Sequence, residues 1–171
     1  MTSRPFHDEF VALFEAHFAR LHRYFDRLSG DPDLAADLVQ GAFVKLYQRG
    51  QTPDSPGAWL VTVAANLLRN THAKRQRRAR LLTEERARSS LGDPPPSPAD
   101  AGDAALTRSS VRRALARMPE RERSLLLLRA EGYSYRELAA ALALEEGSVG
   151  TLLARAKRAF RELYQEGAHA P

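Results

Sequence analysis

Apolar residues recur along most of this chain at spacings of three and four and almost nowhere alternate, which predicts helices rather than strands. Phe10, Leu13, Phe14, Phe18, Leu21, Tyr24, Phe25 and Leu28 form one stripe, which stops at Gly30. Asp31-Pro32 then offers an N-cap and a first-turn proline for a second helix, with Leu34, Leu38, Phe43, Leu46 and Tyr47 turned inward. Arg49 to Gly57, which holds Pro53, Pro56 and two glycines, reads as a loop. A third helix begins near Ala58 and carries Trp59, Leu60, Val63, Ala64, Leu67 and Leu68 before the apolar pattern gives way to a basic run from His72 to Arg80.

The second half repeats the helical period with different punctuation. Val111, Leu115 and Met118 lead to Pro119, which fits a helix start, and the apolar run Leu125 to Leu128 lies in a helix that stops near Gly132. Ser134 with Glu137 three residues on has the spacing of a capping box, so a short helix is expected over Tyr135 to Leu142. After Ala143-Leu144, the spacing of Val149, Leu153, Ala156 and Phe160 predicts a longer helix with one buried face. Two helices so joined have helix-turn-helix form. Small Ala139 and Ala140 let them cross closely, and the second offers Ser148, Thr151, Arg155 and Arg158 to a major groove. An ordinary helical hairpin with a solvated basic face has the same pattern.

Between the halves lies Ser89 to Asp103, with Pro94, Pro95, Pro96 and Pro98 among Gly, Ser and Asp. Such a stretch neither continues a helix nor buries a core, so it reads as a flexible, acidic, Pro-rich linker. The expectation is an all-α chain of two small helical domains: an N-terminal helical bundle at 1–82, a linker at 83–106, a C-terminal helix-turn-helix domain at 107–166 and a tail at 167–171. Each domain of a 171-residue chain so divided would bury only a thin core, which suggests help from a partner.

Charge changes this picture by its placement. The formal net charge of +5 breaks down into −1 over residues 1–71, +5 over 72–88, −3 over 89–106 and +4 over 107–171. A concentrated basic run beside a near-neutral domain suits a polyanion contact, and also suits a plain solvated helix end. The absence of cysteine excludes a disulfide scaffold, a thiolate metal site and a cysteine nucleophile. His7, His17, His22, His72 and His169 lack zinc-ligand spacing, and no phosphate loop or nucleophile elbow occurs, so neither catalysis, nor a metal, nor a cofactor is expected. No apolar run has the length of a membrane helix and the N-terminus lacks a signal pattern, so no membrane insertion and a cytoplasmic location are expected.

Several motifs then align with one family. Leu115-Ala116-Arg117-Met118-Pro119-Glu120-Arg121-Glu122-Arg123, Leu126-Leu127-Leu128-Arg129, Glu131-Gly132-Tyr133-Ser134-Tyr135-Arg136-Glu137-Leu138-Ala139 and Glu146-Gly147-Ser148-Val149 resemble the C-terminal domain of bacterial sigma factors of the sigma-70 family. More narrowly, they resemble the extracytoplasmic-function (ECF) group, which keeps two helical domains on a flexible linker. In the first half, Asp37-Leu38-Val39-Gln40 with Phe43 is similar to the family helix that docks on the beta-prime coiled coil of core RNA polymerase. Trp59-Leu60 and Ala64-Ala65-Asn66 are similar to its promoter-melting helix.

The resemblance implies an alternative sigma factor, not an enzyme, that binds core polymerase, directs it to promoters and opens the DNA. It implies polymerase contacts at Asp37, Leu38, Val39, Gln40 and Phe43, and a C-terminal domain seated on the beta flap. Minus-ten contacts with duplex DNA and the melted non-template strand fall to Trp59, Asn66, Asn70, Lys74, Arg75, Arg77 and Arg78. Minus-thirty-five contacts fall to Ser148, Thr151, Arg155 and Arg158. An anti-sigma factor is implied as an antagonist. The residues themselves agree in part: Asn66 and Asn70 share a helix face that Lys74 and Arg77 continue, a polar-to-basic strip suited to an unstacked strand. Trp59 has a stacking surface, although a lone Trp at the start of an apolar helix is more often core.

Three places in the chain depart from the family pattern. Gly41 stands where an acidic residue is usual, Ala65 where Arg is common before Asn66, and Gly150-Thr151-Leu152 with Ala154 lacks the usual recognition-helix donors, which predicts weakened or altered minus-thirty-five reading. Two other readings of the chain remain: a stand-alone helix-turn-helix transcriptional regulator, and a polymerase-binding adaptor that reads no DNA.

Overall fold

The computed structural model describes residues 4–86 and 103–168, with side chains placed from 6 to 81 and from 106 to 167. Among these residues every element is helical: α1 (Arg4–Ser29), α2 (Pro32–Arg49), α3 (Pro56–Arg86), α4 (Asp103–Arg117), α5 (Glu120–Ala130), α6 (Tyr135–Leu142) and α7 (Val149–Ala168), with a 3-10 turn at Glu146–Ser148 before α7. The punctuation behaves as the chemistry demands. Asp31 caps α2 by accepting from the Leu34 amide at 3.0 Å. Ser134 and Glu137 form the reciprocal capping box of α6, an arrangement of the kind worth about 1 kcal/mol. Helices run past both expected linker ends, since α3 continues to Arg86 and α4 starts at Asp103. The remaining linker residues, 87–102, lie outside the described residues.

α1, α2 and α3 pack around Leu21, Phe25, Ala35, Val39, Leu46, Leu60 and Ala64, none of which is exposed. Substituting Ala for one of these leucines is expected to cost about 2–5 kcal/mol. Gly41 is explained here: a Cβ at this position would lie 2.9 Å from Leu67 Cδ1, so the residue that departs from the family pattern lets α2 and α3 approach closely. In the second half, Val149, Leu153 and Ala156 are buried, whereas Phe160 is half-buried and stacks on Tyr164. Ala139 is buried but Ala140 is exposed, so the close crossing of α6 and α7 rests on the first alone.

The two halves do not keep separate thin cores. One contiguous apolar cluster runs from Leu21, Tyr24 and Val61 into Leu125, Leu128, Tyr133 and Leu138. α1 meets α5, and α3 meets α6. Sequence periodicity predicts each half but carries no information on this junction.

Candidate protein-docking and nucleic-acid surfaces

The outer face of α2 is built by helical spacing. Asp37, Gln40, Val44, Tyr47 and Gln48 are all exposed, Val44 at 49% and Tyr47 at 43%. The stripe borders a groove of about 610 Å³ lined by Phe10, Phe14 and Phe18 of α1 and by Gln40, Phe43 and Tyr47 of α2. Phe10 meets the Tyr47 ring edge-on at 5.2 Å, and Phe14 is itself 39% exposed. One sequence expectation, the inward Tyr47, is corrected. Leu38, Val39 and Phe43 are buried at 3, 0 and 3% exposure, so they seat the helix, and Phe43 also lines the groove. Tyr47, expected inward, is 43% exposed, because α1 covers its ring only in part, through Phe6 and Phe10. Val44 was missed, although its place in the series 37, 40, 44, 47 was the available signal.

α3 divides into an apolar start and a charged end. Trp59 is half-buried, with the Arg49 guanidinium 5.8 Å from its ring centre, so it belongs partly to the core. The loop before it is tied to α1 through Thr52 Oγ1, which donates to Glu9 Oε2 at 2.7 Å. Asn66 is exposed and accepts a hydrogen bond from Arg69. Asn70, Lys74, Arg77 and Arg78 are exposed, as is every residue from His72 to Leu81. Among the described residues Lys74, Arg77 and Arg78 have no acidic partner. Arg75 leaves this group: its guanidinium lies 3.9 Å from Asp31 Oδ2 at the α2 N-terminus.

α7 is arranged differently. Ser148 Oγ donates to the Glu145 carbonyl at 2.8 Å, so the residue serves the turn before it can serve a ligand. Thr151, Arg155 and Arg158 are exposed along α7, and Arg155 Nε pairs with Glu122 Oε1 at 3.3 Å. Gly150 is not required by packing, because a Cβ there would meet Tyr135 Cε2 at an ordinary 3.6 Å. No group of His, Cys, Asp or Glu among the described residues is placed to hold a metal ion, and no described helix is long and apolar enough to cross a membrane.

A third region, absent from the expectations, joins the halves. Arg20 Nη2 donates to Glu137 Oε1 at 3.0 Å and to His17 Nδ1 at 2.7 Å, while the Arg20 guanidinium lies 4.1 Å from the Tyr133 ring centre. Arg23 Nε donates to Glu131 Oε2 at 2.7 Å, and Arg27 pairs with the other oxygen of the same carboxylate. Burial pushes the Tyr24 phenol up to about 12, against a hydrogen bond to Ser124. Burial likewise raises that of Tyr133, with Arg20 opposing. Partial burial works against the Glu137 carboxylate, but its hydrogen bonds from Ser134 and the Arg20 guanidinium outweigh it and hold the group below its ordinary range. The capping-box spacing identified Glu137 at the level of sequence but said nothing of its second bond to α1.

A helical protein with a helix-turn-helix, a basic helix end and an exposed apolar face has the layout of a two-part DNA-binding factor. Comparison with known proteins narrows the class. The family described as Sigma-70 region 2 matches residues 13–78, and Sigma-70, region 4 matches residues 108–160. The chain is 34% identical over 160 residues to the ECF RNA polymerase sigma factor SigL of Mycobacterium tuberculosis (strain ATCC 25618 / H37Rv), covering 91% of this chain and 88% of the relative. It is 27% identical over 163 residues to the RNA polymerase sigma factor CarQ of Myxococcus xanthus, covering 93% and 91%. Its fold is similar to that of the sigma factor RpoE in complex with the anti-sigma factor NepR from Bartonella quintana, with a TM-score of 0.62, 24% identity and coverage of 95% and 98%. The chain belongs to the ECF group of the sigma-70 family: it is an alternative sigma factor, a non-enzymatic factor that directs RNA polymerase to promoters.

Proposed function

We propose that this sigma factor docks on the beta-prime coiled coil of core RNA polymerase through the outer face of α2, with Asp37 and Gln40 as polar contacts and Val44 and Tyr47 as the apolar ones. The observation that carries the reading is the continuous exposed stripe beside the aromatic groove, since a monomer gains nothing by leaving such a patch uncovered. Asn66, Asn70, Lys74, Arg77 and Arg78 follow the melted non-template strand at the minus-ten element, with Trp59 at the edge of the opened bases. Arg75 contributes there on release from Asp31. Thr151, Arg155 and Arg158 serve the minus-thirty-five element while Ser148 holds the turn, and the C-terminal domain rests on the beta flap. The working division is 1–82 for polymerase docking and melting and 107–166 for the upstream element. The NepR complex of the RpoE neighbour supports an anti-sigma factor as a further partner of this chain.

The Asp37→Ala, Gln40→Ala double variant tests the docking face. Both side chains are exposed, so folding should be unchanged while affinity for core polymerase falls about tenfold or more. Binding to a promoter duplex by the isolated sigma factor should persist. A stand-alone regulator has no use for this face, and unaltered polymerase binding would favour that alternative.

A further inference from the structure

In a helix-turn-helix, the first residues of the second helix are the ones that reach base edges in the major groove. In α7 these are Val149, Gly150, Thr151 and Leu152, and Val149 is buried. Of the rest, Thr151 alone carries a side-chain hydrogen-bonding group, and exposed Ala154, one turn on, adds only a methyl group. The next cation, Arg155, is paired with Glu122. Donors are therefore scarce where base edges would lie.

An aromatic ring stands at the same place. Tyr135, the first residue of α6, is 43% exposed, and the edge of its ring lies beside Gly150, where a Cβ would meet Tyr135 Cε2 at 3.6 Å. Packing leaves room for alanine there, and glycine inside a helix is unfavourable, so the bare backbone has no steric cause. Its consequence is that no side chain from position 150 covers the ring edge. The ring is also held. The Arg129 guanidinium lies 5.4 Å from its centre, and Arg129 Nη1 donates to the Tyr133 carbonyl at 3.0 Å, which ties that cation to the turn before α6. An aromatic group fixed in this way loses little freedom on binding.

The start of α7 thus presents a small, largely apolar surface made by the Tyr135 ring, the Gly150 backbone and the Thr151 methyl group. Among base edges in the major groove, the apolar feature is the C5 methyl of thymine, which is read by aromatic, alanine and threonine methyl contacts and not by donors. On the assignment of α7 to the minus-thirty-five element made above, we propose that Tyr135 is a specificity-determining residue there, packing its ring against a thymine methyl with Thr151 beside it. Arg155 and Arg158 supply the polar and phosphate contacts of the same helix face.

The test uses holoenzyme reconstituted from the full chain and core polymerase, with promoter duplexes randomised over the minus-thirty-five element. The enriched sequence should contain a thymine at which uracil, which lacks only the methyl group, weakens binding about fourfold, the worth of one buried methyl. Tyr135→Ala should abolish the difference between thymine and uracil at that position, whereas Tyr135→Phe should keep it, because the ring makes the contact. Both variants leave the Ser134–Glu137 capping box in place, so α6 should form. Gly150→Lys should also abolish the difference, since its side chain starts against the ring, while its added cation steepens the salt dependence by about one phosphate contact. Should Tyr135→Ala lose its helical circular dichroism, Gly150→Lys decides alone. An enriched element in which every thymine tolerates uracil overturns the proposal, as does a uracil effect that survives both Tyr135→Ala and Gly150→Lys, and either result leaves α7 assigned to the element. Failure of the holoenzyme to enrich any sequence there overturns that assignment as well.

Discussion

The two helix ends assigned to DNA differ in how much of their charge is free. Along α3, Lys74, Arg77 and Arg78 stand in solvent without acidic partners among the described residues, on a helix that has left its core. Along α7, Arg155 is paired with Glu122, Ser148 is engaged in its own turn, and the second helical position is Gly150. The first surface suits any phosphate backbone or opened strand and needs no rearrangement. The second offers few side chains to base edges, and its best donor must first leave a carboxylate. Under the function proposed above, promoter opening rests more on the α3 end than on strong recognition at the upstream element.

Replacing Asn66, Lys74 and Arg77 together with Ala should produce the largest effect. Loss of two phosphate contacts reduces the salt slope of DNA binding by about 2 and, with the lost polar contact, lowers open-complex formation about 100-fold. Since all three side chains are exposed, the melting temperature should not move. Permanganate footprinting of melted thymines is a direct readout, and unchanged melting would leave only the polymerase-binding adaptor. On the other helix, Arg155→Ala should reduce discrimination at the minus-thirty-five element about tenfold, the loss of one good base or phosphate contact. Glu122→Gln should act in the opposite direction, raising duplex affinity a few-fold by releasing Arg155. If the two variants changed binding in the same sense, the pair would not be in competition with DNA.

The smallest expected effect is in acid. Burial first, and then the Arg20 guanidinium, hold the His17 pKa below its ordinary 6.5 against the opposing pull of Glu137 on α6. Just below 6.5 the folded protein therefore binds fewer protons than the unfolded chain. The contribution of this site to stability is complete above 6.5 and is lost as pH falls through the lowered value. The effect is small, because solvent screens so partly exposed a group. Thermal melts between about pH 7.5 and 5.5 should show the decline, and His17→Gln should flatten it.

Much of the fold was legible because it is local. Asp31 before Pro32, Ser134 before Glu137 and the recurrence of Leu21, Tyr24, Phe25 and Leu28 each act within a turn or two of chain. The candidate surfaces were legible only as far as motif spacing reaches. Asp37 and Gln40 were readable as exposed, but whether Tyr47 points inward depends on which neighbour covers the end of α2, and no local pattern specifies that. The junction between the halves was invisible for a related reason. Arg20 and Glu137 lie 117 residues apart, and each alone looks like a charge on a solvated helix face. Gly41 and Gly57 appeared as a family departure and as a loop residue, and only the packing of Leu67 and Glu137 against them explains why a side chain is absent.

The most direct measurement is transcription reconstituted from purified full-length protein and core RNA polymerase on a pool of genomic promoter fragments, with start sites mapped by sequencing. The account predicts discrete start sites that share a minus-ten element more strongly than a minus-thirty-five element. Random or absent initiation, under conditions where a control sigma factor works, would contradict it.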